Sequence, residues 1–303
     1  MTLRVTSAGL STRPAYAVGI AGIGLFSIMD MVMKSLTLVQ GTFATMLYRS
    51  ITGVALAGVL FLIHRPPLPN GRTLRLHLLR GVVTAVMGVL FFWGLARVPM
   101  AQAVALTFIA PLIALALAAL ILGEPLGRTI VGGSLLAFAG VAVIFAGQAH
   151  ADLGPDALKG SAAILGSALI YAYNIVLMRQ QAVAARPVEI AFFQNLSVSL
   201  VLMSAVPLLG LPPLPAGHAL EILLAASLAI GSQLLLAWAY ARAGAAYLST
   251  TEYSSFLWAM ALGWWRFGET VSPFTLVGAA LILAGCWFAA RGGVEHPMLE
   301  ASA

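Results

Sequence analysis

WGLARVPMAQAVALTFIAPLIALALAALILGEPLGRTIVGGSLLAFAG at 93–140 is written again, in outline, as WAYARAGAAYLSTTEYSSFLWAMALGWWRFGETVSPFTLVGAALILAG at 238–285. Trp93 finds Trp238, Arg97 finds Arg242, Gly123-Glu124 finds Gly268-Glu269 and Gly140 finds Gly285. Each pair is 145 positions apart (238 − 93), with no gap. Outward from these two stretches, each copy holds five apolar runs. Five crossings is an odd number, so the second copy enters the membrane from the opposite side. Inverted repeats of this kind place a substrate site near the bilayer midplane and rock around it.

Composition agrees with a membrane-embedded chain. Of 303 residues, 61% are hydrophobic and 9% charged, and the mean hydropathy is +0.98. Soluble domains carry about 25% charged residues, which excludes an ordinary globular enzyme. The apolar runs reach the roughly 20 residues that cross a hydrocarbon core. They fall at 15–33, 42–63, 78–96, 100–122, 129–147, 161–179, 188–209, 220–240, 245–266 and 273–290. The expected fold is therefore all-α, with ten transmembrane helices in two inverted five-helix repeats, 1–150 and 151–303, around a central cavity.

Counting Lys and Arg between spans puts both termini in the cytoplasm. Arg4, Arg13, Arg65, Arg72, Arg75, Arg80, Arg128, Arg179, Arg186, Arg242 and Arg291 fall on one side, against Lys34, Arg97, Lys159 and Arg266 on the other. That is the positive-inside pattern. The net charge of +6 is spread among loops, not gathered into a nucleic-acid-binding face. Cys286 is the only cysteine, so no internal disulfide forms. All five histidines are assigned to loops or tails, leaving no ligand within the spans for a buried metal. There is no phosphate-binding G-x-x-x-x-G-K-[ST] loop, and no cofactor is expected.

The LGEPLG at 122–127 with LLAFAG at 135–140, and their partners Phe267-Gly268-Glu269 and 277–285, resemble the EamA-type repeat of the drug/metabolite transporter superfamily. The Tyr-x-Ala-x-Ala run at 240–244, with Tyr253 and Trp258, resembles the second half of its bacterial members. The resemblance covers nearly all of 15–291. It implies a secondary transporter of a small metabolite, working as exporter or exchanger by alternating access. Bacterial members include exporters of amino acids, carriers of S-adenosylmethionine and exporters of cationic drugs. An inner-membrane location, a monomer and coupling to protons or to exchange are further expectations. A membrane enzyme would need a nucleophile and base at one depth, and a channel a continuous polar stripe.

Ionisable groups inside spans are costly and usually face a cavity or a partner. Arg49, about seven residues into the second span, suits a two-pronged bond to a carboxylate or a structural pairing with Asp30. Its repeat mate is Gln194 (194 − 49 = 145). Glu252, in the most polar stretch of any span, suits an ammonium or a transferable proton; the rival reading is a carboxyl hydrogen-bonded to neighbouring hydroxyls. With Arg49 it is expected to bind the two ends of a zwitterion. Asp30 is expected to be wet, and Glu124 and Glu269 to be interfacial and structural. Tyr48, Asn174, Gln194, Gln233, Tyr253 and Trp238 complete the candidate lining. Asn174 and Gln233 could equally bond a neighbouring helix, and Trp93 and Trp238 could be interface anchors. Pro111 kinks the fourth span, either as a gating hinge or as a packing feature.

Overall fold

The computed structural model describes residues 12–122, 128–150, 154–215, 217–242, 248 and 251–292. Its helices are α1 Thr12–Gln40, α2 Thr42–His64, α3 Gly71–Leu95, α4 Met100–Thr107, α5 Ala110–Leu122, α6 Arg128–His150, α7 Gly154–Ala184, α8 Pro187–Leu209, α9 Ala219–Tyr240, α10 Ser254–Phe267 and α11 Pro273–Gly292. No strand occurs among the described residues. In lipid each backbone N–H and C=O must be satisfied within the chain, and helices do so segment by segment. Among the described residues, six helices are long and apolar enough to cross a membrane: α1, α2, α3, α7, α8 and α9. Shorter apolar stretches lie at Met100–Ala114, Val131–Gly147 and Pro273–Ala289. The chain is a multi-pass membrane protein.

The fourth expected span is not one helix. α4 stops at Thr107 and α5 starts at Ala110, because Pro111 has no N–H to donate and its ring crowds the carbonyl four residues back. The carbonyl of Phe108, left in the gap, accepts from Cys286 Sγ at 3.2 Å. The second half is interrupted at the matching point: Thr251 and Glu252 are helical, Tyr253 is a turn, and α10 begins at Ser254. Phe108 and Tyr253 are repeat mates (253 − 108 = 145), and their rings meet edge-on at 5.8 Å and 88°.

Packing exchanges one half for the other. α1 lies on α9 and α3 on α7; α2 touches α9 and α8 touches α3; α1 meets α10 and α7 meets α5. Two pairs join mates directly: α2 with α8, and α6 with α11. On the last, a methyl added to Gly133 would meet the Gly285 carbonyl at 2.5 Å, and one on Gly140 the Gly278 carbonyl at 2.5 Å. Gly133 and Gly278 are mates, as are Gly140 and Gly285, so each contact repeats the other with the halves swapped. Such reciprocity defines a two-fold relation. Because 133 pairs with 285 and 140 with 278, the two helices are antiparallel, and the axis crosses them.

Two ends of the bundle follow. The near face holds His77 of α3, Gln181 of α7 and Glu189 of α8, joined by hydrogen bonds. The far face holds Lys34 of α1, Val98 and Met100 after α3, and Glu269 after α10. Trp93 and Arg97 end α3 on the far face, with the guanidinium 3.6 Å from the ring centroid and bonded to the Trp93 carbonyl at 2.8 Å. Trp238 and Arg242 do the same on the near face, at 4.0 Å and 3.2 Å. One motif thus caps mated helices on opposite faces, and the repeat is inverted.

Gly140→Leu is expected to drive a side chain into backbone that has no room to give, an overpacking cost of roughly 1–3 kcal/mol or more. Thermal unfolding in detergent should show a clear drop in Tm for Gly140→Leu. Phe138→Ala, on the exposed face of the same helix, should change Tm little.

Candidate functional site

Asn70 caps α3 by accepting from the Thr73 N–H at 2.9 Å, so α3 begins at 71. Arg80 therefore sits more than two turns inside the helix. The sequence counted it toward the cytoplasmic side at the start of the 78–96 span and put His77 in the loop before; both lie within the bundle, and His77 is fully buried. The stacking of Phe193 on His77, 5.0 Å between centroids, seals this corner.

A directed hydrogen-bond chain runs through it. Arg80 Nη1 donates to Gln181 Oε1. Gln181 Nε2 donates to His77 Nδ1 at 2.7 Å, so Nε2 carries the imidazole proton and donates to Glu189 Oε1 at 3.2 Å. Arg80 Nε donates to Asn174 Oδ1 at 3.3 Å. Among the described residues no carboxylate touches Arg80, and its Nη2 has no bonding partner. Glu189 offsets the charge only through two intervening side chains.

One turn before Asn174 on α7, Tyr171 interacts electrostatically with both Arg80 and Glu252. Tyr240, at the near end of α9, donates to Glu252 Oε1 at 2.9 Å. Glu252 is solvent-accessible, although three membrane helices supply its surroundings. The result is an exposed carboxylate next to the helix break at 253 and an open-sided guanidinium, both coupled to one phenol. Broken helices in matching positions of two repeats are where inverted-repeat carriers hold their substrates.

The other candidates are distributed as follows. Tyr253 abuts Phe108 beside Glu252. Tyr48 donates to the Pro212 carbonyl at 2.6 Å, tying α2 to the loop before α9. Trp238 carries Arg242 on its ring, and Gln233 is exposed on α9. Gln194 is buried in α8 with neither amide atom bonded. Pro111 marks the α4–α5 break. Arg49 is not brought to Glu252: the charge it feels is Asp30. Asp30 is buried, not wet, because α1 runs on to Gln40 instead of ending near it. Glu124 lies outside the described residues.

Lys34, expected in an outer loop, is buried within α1. It pairs with Glu269, donates to the Val98 carbonyl at 2.6 Å and sits 5.1 Å from the Phe267 ring. Glu269 Oε2 accepts from the Met100 N–H at 2.7 Å. These bonds tie α1, the α3–α4 turn and the α10–α11 turn together across the far face. Arg80, Tyr240 and the His77–Glu189 pair are the residues sequence reasoning missed. The Pro-rich break ending in Asn70-Gly71 is the signal that would have placed the first of them inside a helix.

A membrane-embedded pair of inverted repeats with paired helix breaks and charged lining defines a transporter rather than an enzyme. Residues 13–146 and 158–291 each match the EamA-like transporter family, and the chain belongs to that family, within the drug/metabolite transporter superfamily. It is 25% identical over 265 residues to the pseudopaline exporter CntI of Pseudomonas aeruginosa, covering 86% of this chain and 90% of that one. It is 31% identical over 230 residues to the riboflavin transporter of Rhizobium johnstonii, covering 73% and 71%. With a probable terminal-alkyne amino-acid exporter of Streptantibioticus cattleyicolor it shares 30% identity over 254 residues, 78% and 81% of the two chains. A solved crystal structure superposes with a TM-score of 0.61 at 20% identity, covering 94% of this chain and all of the other; that likeness shows the fold.

Removing one member of a buried ion pair leaves an uncompensated charge and costs about 3–5 kcal/mol, whereas replacing both is far milder. Lys34→Met alone should therefore lower Tm strongly. Lys34→Met with Glu269→Gln should recover most of the loss in the same thermal-unfolding assay.

Proposed function

We propose that the protein is a secondary transporter of small zwitterionic metabolites, with amino acids as the best-supported substrates. It works by alternating access across a bacterial inner membrane with both termini cytoplasmic, as an exporter or exchanger. The repeats 1–150 and 151–303 supply ten crossings, of which the fourth and ninth are the broken ones, and Pro111 serves as a hinge in the fourth. The observation that carries the reading is a carboxylate and a guanidinium of opposite charge that both interact with Tyr171. Glu252, steadied by the Tyr240 hydroxyl, receives an ammonium group. Arg80, held flat by Gln181 and Asn174, offers its free Nη2 edge to a carboxylate, to which a guanidinium binds by two parallel bonds. Tyr253 and Phe108 close the side at the helix breaks. Distinct partners for its two ends give one short solute a single orientation.

The names of two relatives support this choice, one an exporter of an amino acid and one of pseudopaline. A carrier for a different metabolite, in the manner of the riboflavin transporter, is the second reading. Its substrate would lack the ammonium that Glu252 is placed to receive. The carrier is read as a monomer, driven by protons or by exchange.

Reconstituted in proteoliposomes, the protein should show counterflow of a labelled amino acid accelerated by unlabelled substrate on the opposite side. Glu252→Gln is expected to abolish counterflow while the variant remains folded and inserted, and Arg80→Gln to weaken it at least tenfold. Unchanged counterflow in Glu252→Gln would remove that carboxylate from the substrate path.

A further inference from the structure

Away from Glu252, a second set of polar groups is buried without bonds. Asp30 Oδ1 on α1, Arg49 Nε on α2, both amide atoms of Gln194 and the Ser199 hydroxyl on α8 all lack partners. Asp30, Gln194 and Ser199 are 5%, 5% and 6% exposed. Buried polar groups are almost always hydrogen-bonded, and an isolated buried charge is dearer still. One orphan is a packing accident; a set on three touching helices, with both signs of charge, is a site awaiting a ligand.

Their placement supports one pocket. A methyl on Gly53 would strike the Asn195 side chain, and one on Gly58 would meet Phe192 at 3.4 Å. α2 and α8 are therefore antiparallel here, with 53 level with 195. One turn before Gly53 is Arg49, and one turn after Asn195 is Ser199, so these two share a level. Gln194 is the repeat mate of Arg49, and since α2 and α8 are mated helices in contact, the two-fold axis passes between these residues. Asp30 reaches the group electrostatically: it and Arg49 each feel the other and no charge of the Glu252 site. Yet they form no ion pair within 4.0 Å. Asp30 and Arg49 therefore stand apart, each keeping an unbonded polar atom.

We propose that Asp30, Arg49, Gln194 and Ser199 form a second binding station, beside the pseudo-two-fold axis, for a solute that carries both an ammonium and a carboxylate. Arg49 takes the carboxylate and Asp30 the ammonium; Gln194 offers an acceptor and donors, and Ser199 one hydroxyl. The station rests on the amino-acid reading above and adds a resting place on the solute's path, distinct from Glu252. A metal cation does not fit, because Arg49 repels it.

The test is equilibrium binding of a uniformly labelled mixture of the standard amino acids to the full chain in detergent. The wild type should bind about two equivalents, and Glu252→Gln about one. Asp30→Asn combined with Arg49→Gln should also bind about one, with Tm close to wild type because the charges leave together. Gln194→Leu removes an unbonded amide without creating a charge. It should raise Tm while weakening binding at this station about tenfold, a combination that a structural role does not produce. Wild-type stoichiometry and affinity in both the double variant and Gln194→Leu would overturn the station. So would a single wild-type equivalent that Glu252→Gln abolishes. No binding by the wild type would instead overturn the amino-acid reading, and the station with it.

Discussion

Gly133 rests on the carbonyl of Gly285, and Gly278 on that of Gly140; the remaining helix pairs follow from this reciprocal contact. Lipid gives helices no hydrophobic reason to associate, so close backbone approach through small residues must supply the contact. A helix that packs against its own repeat mate, antiparallel, fixes a two-fold axis across the bundle. Once that axis exists, α1 on α9 requires α3 on α7, and α2 on α9 requires α8 on α3. Every major contact obeys the exchange. The same constraint makes Phe108 and Tyr253 meet each other at the axis.

The scaffold is symmetric and its lining is not. Glu252 corresponds to Thr107, Arg80 to Ala225, Asp30 to Ile175 and Tyr171 to Phe26. Charge has been kept in one half at each position and dropped in the other. A symmetric charged lining would present like charges to one another near the axis and would bind a solute equally well in two orientations. The asymmetric one gives each end of a solute its own partner. The structural motifs, by contrast, are duplicated: the Trp–Arg caps repeat on both faces, and so do the glycine contacts.

The fold was legible because its evidence is periodic: apolar runs, proline breaks and a constant spacing are all properties of a string. The interruption of the fourth span was legible for the same reason, since Pro111 acts on its own helix. The polar site was legible only in part. Glu252 stood out because it lies mid-span among hydroxyls. Arg80 did not, because a charge two residues past the expected start of a span, at 78, is read as belonging to the membrane edge. His77 and Lys34 were misplaced similarly: each is buried by partners from distant segments, Glu189 and Gln181 for one, Glu269 and the Val98 carbonyl for the other. Spacing along the chain carries no trace of those partners. Arg49 and Glu252 were paired from their depths alone, and depth says nothing about which helices are neighbours; the charge acting on Arg49 is Asp30.

The far-face bonds also set what a transport cycle must overcome. Lys34 and Glu269 join the first repeat to the second at one end only, and the two charges are mostly withdrawn from solvent. On the proposed cycle that end must open, which exposes both ions to water. Water then repays much of the lost attraction, since desolvating the two charges was itself costly. The net cost of opening is therefore smaller than breaking the pair in a dry interior would suggest. A ligand can shift such a balance only by binding the open form more tightly than the closed one. Substrate charges held between Glu252 and Arg80 are suited to that role, because Arg80 is anchored to α7 and Glu252 to α9, on opposite sides of the two-fold axis. On the proposed cycle, a solute that bonds both would draw the halves together at the near face, and repeats rocking about the α6–α11 contact would then part at the far one.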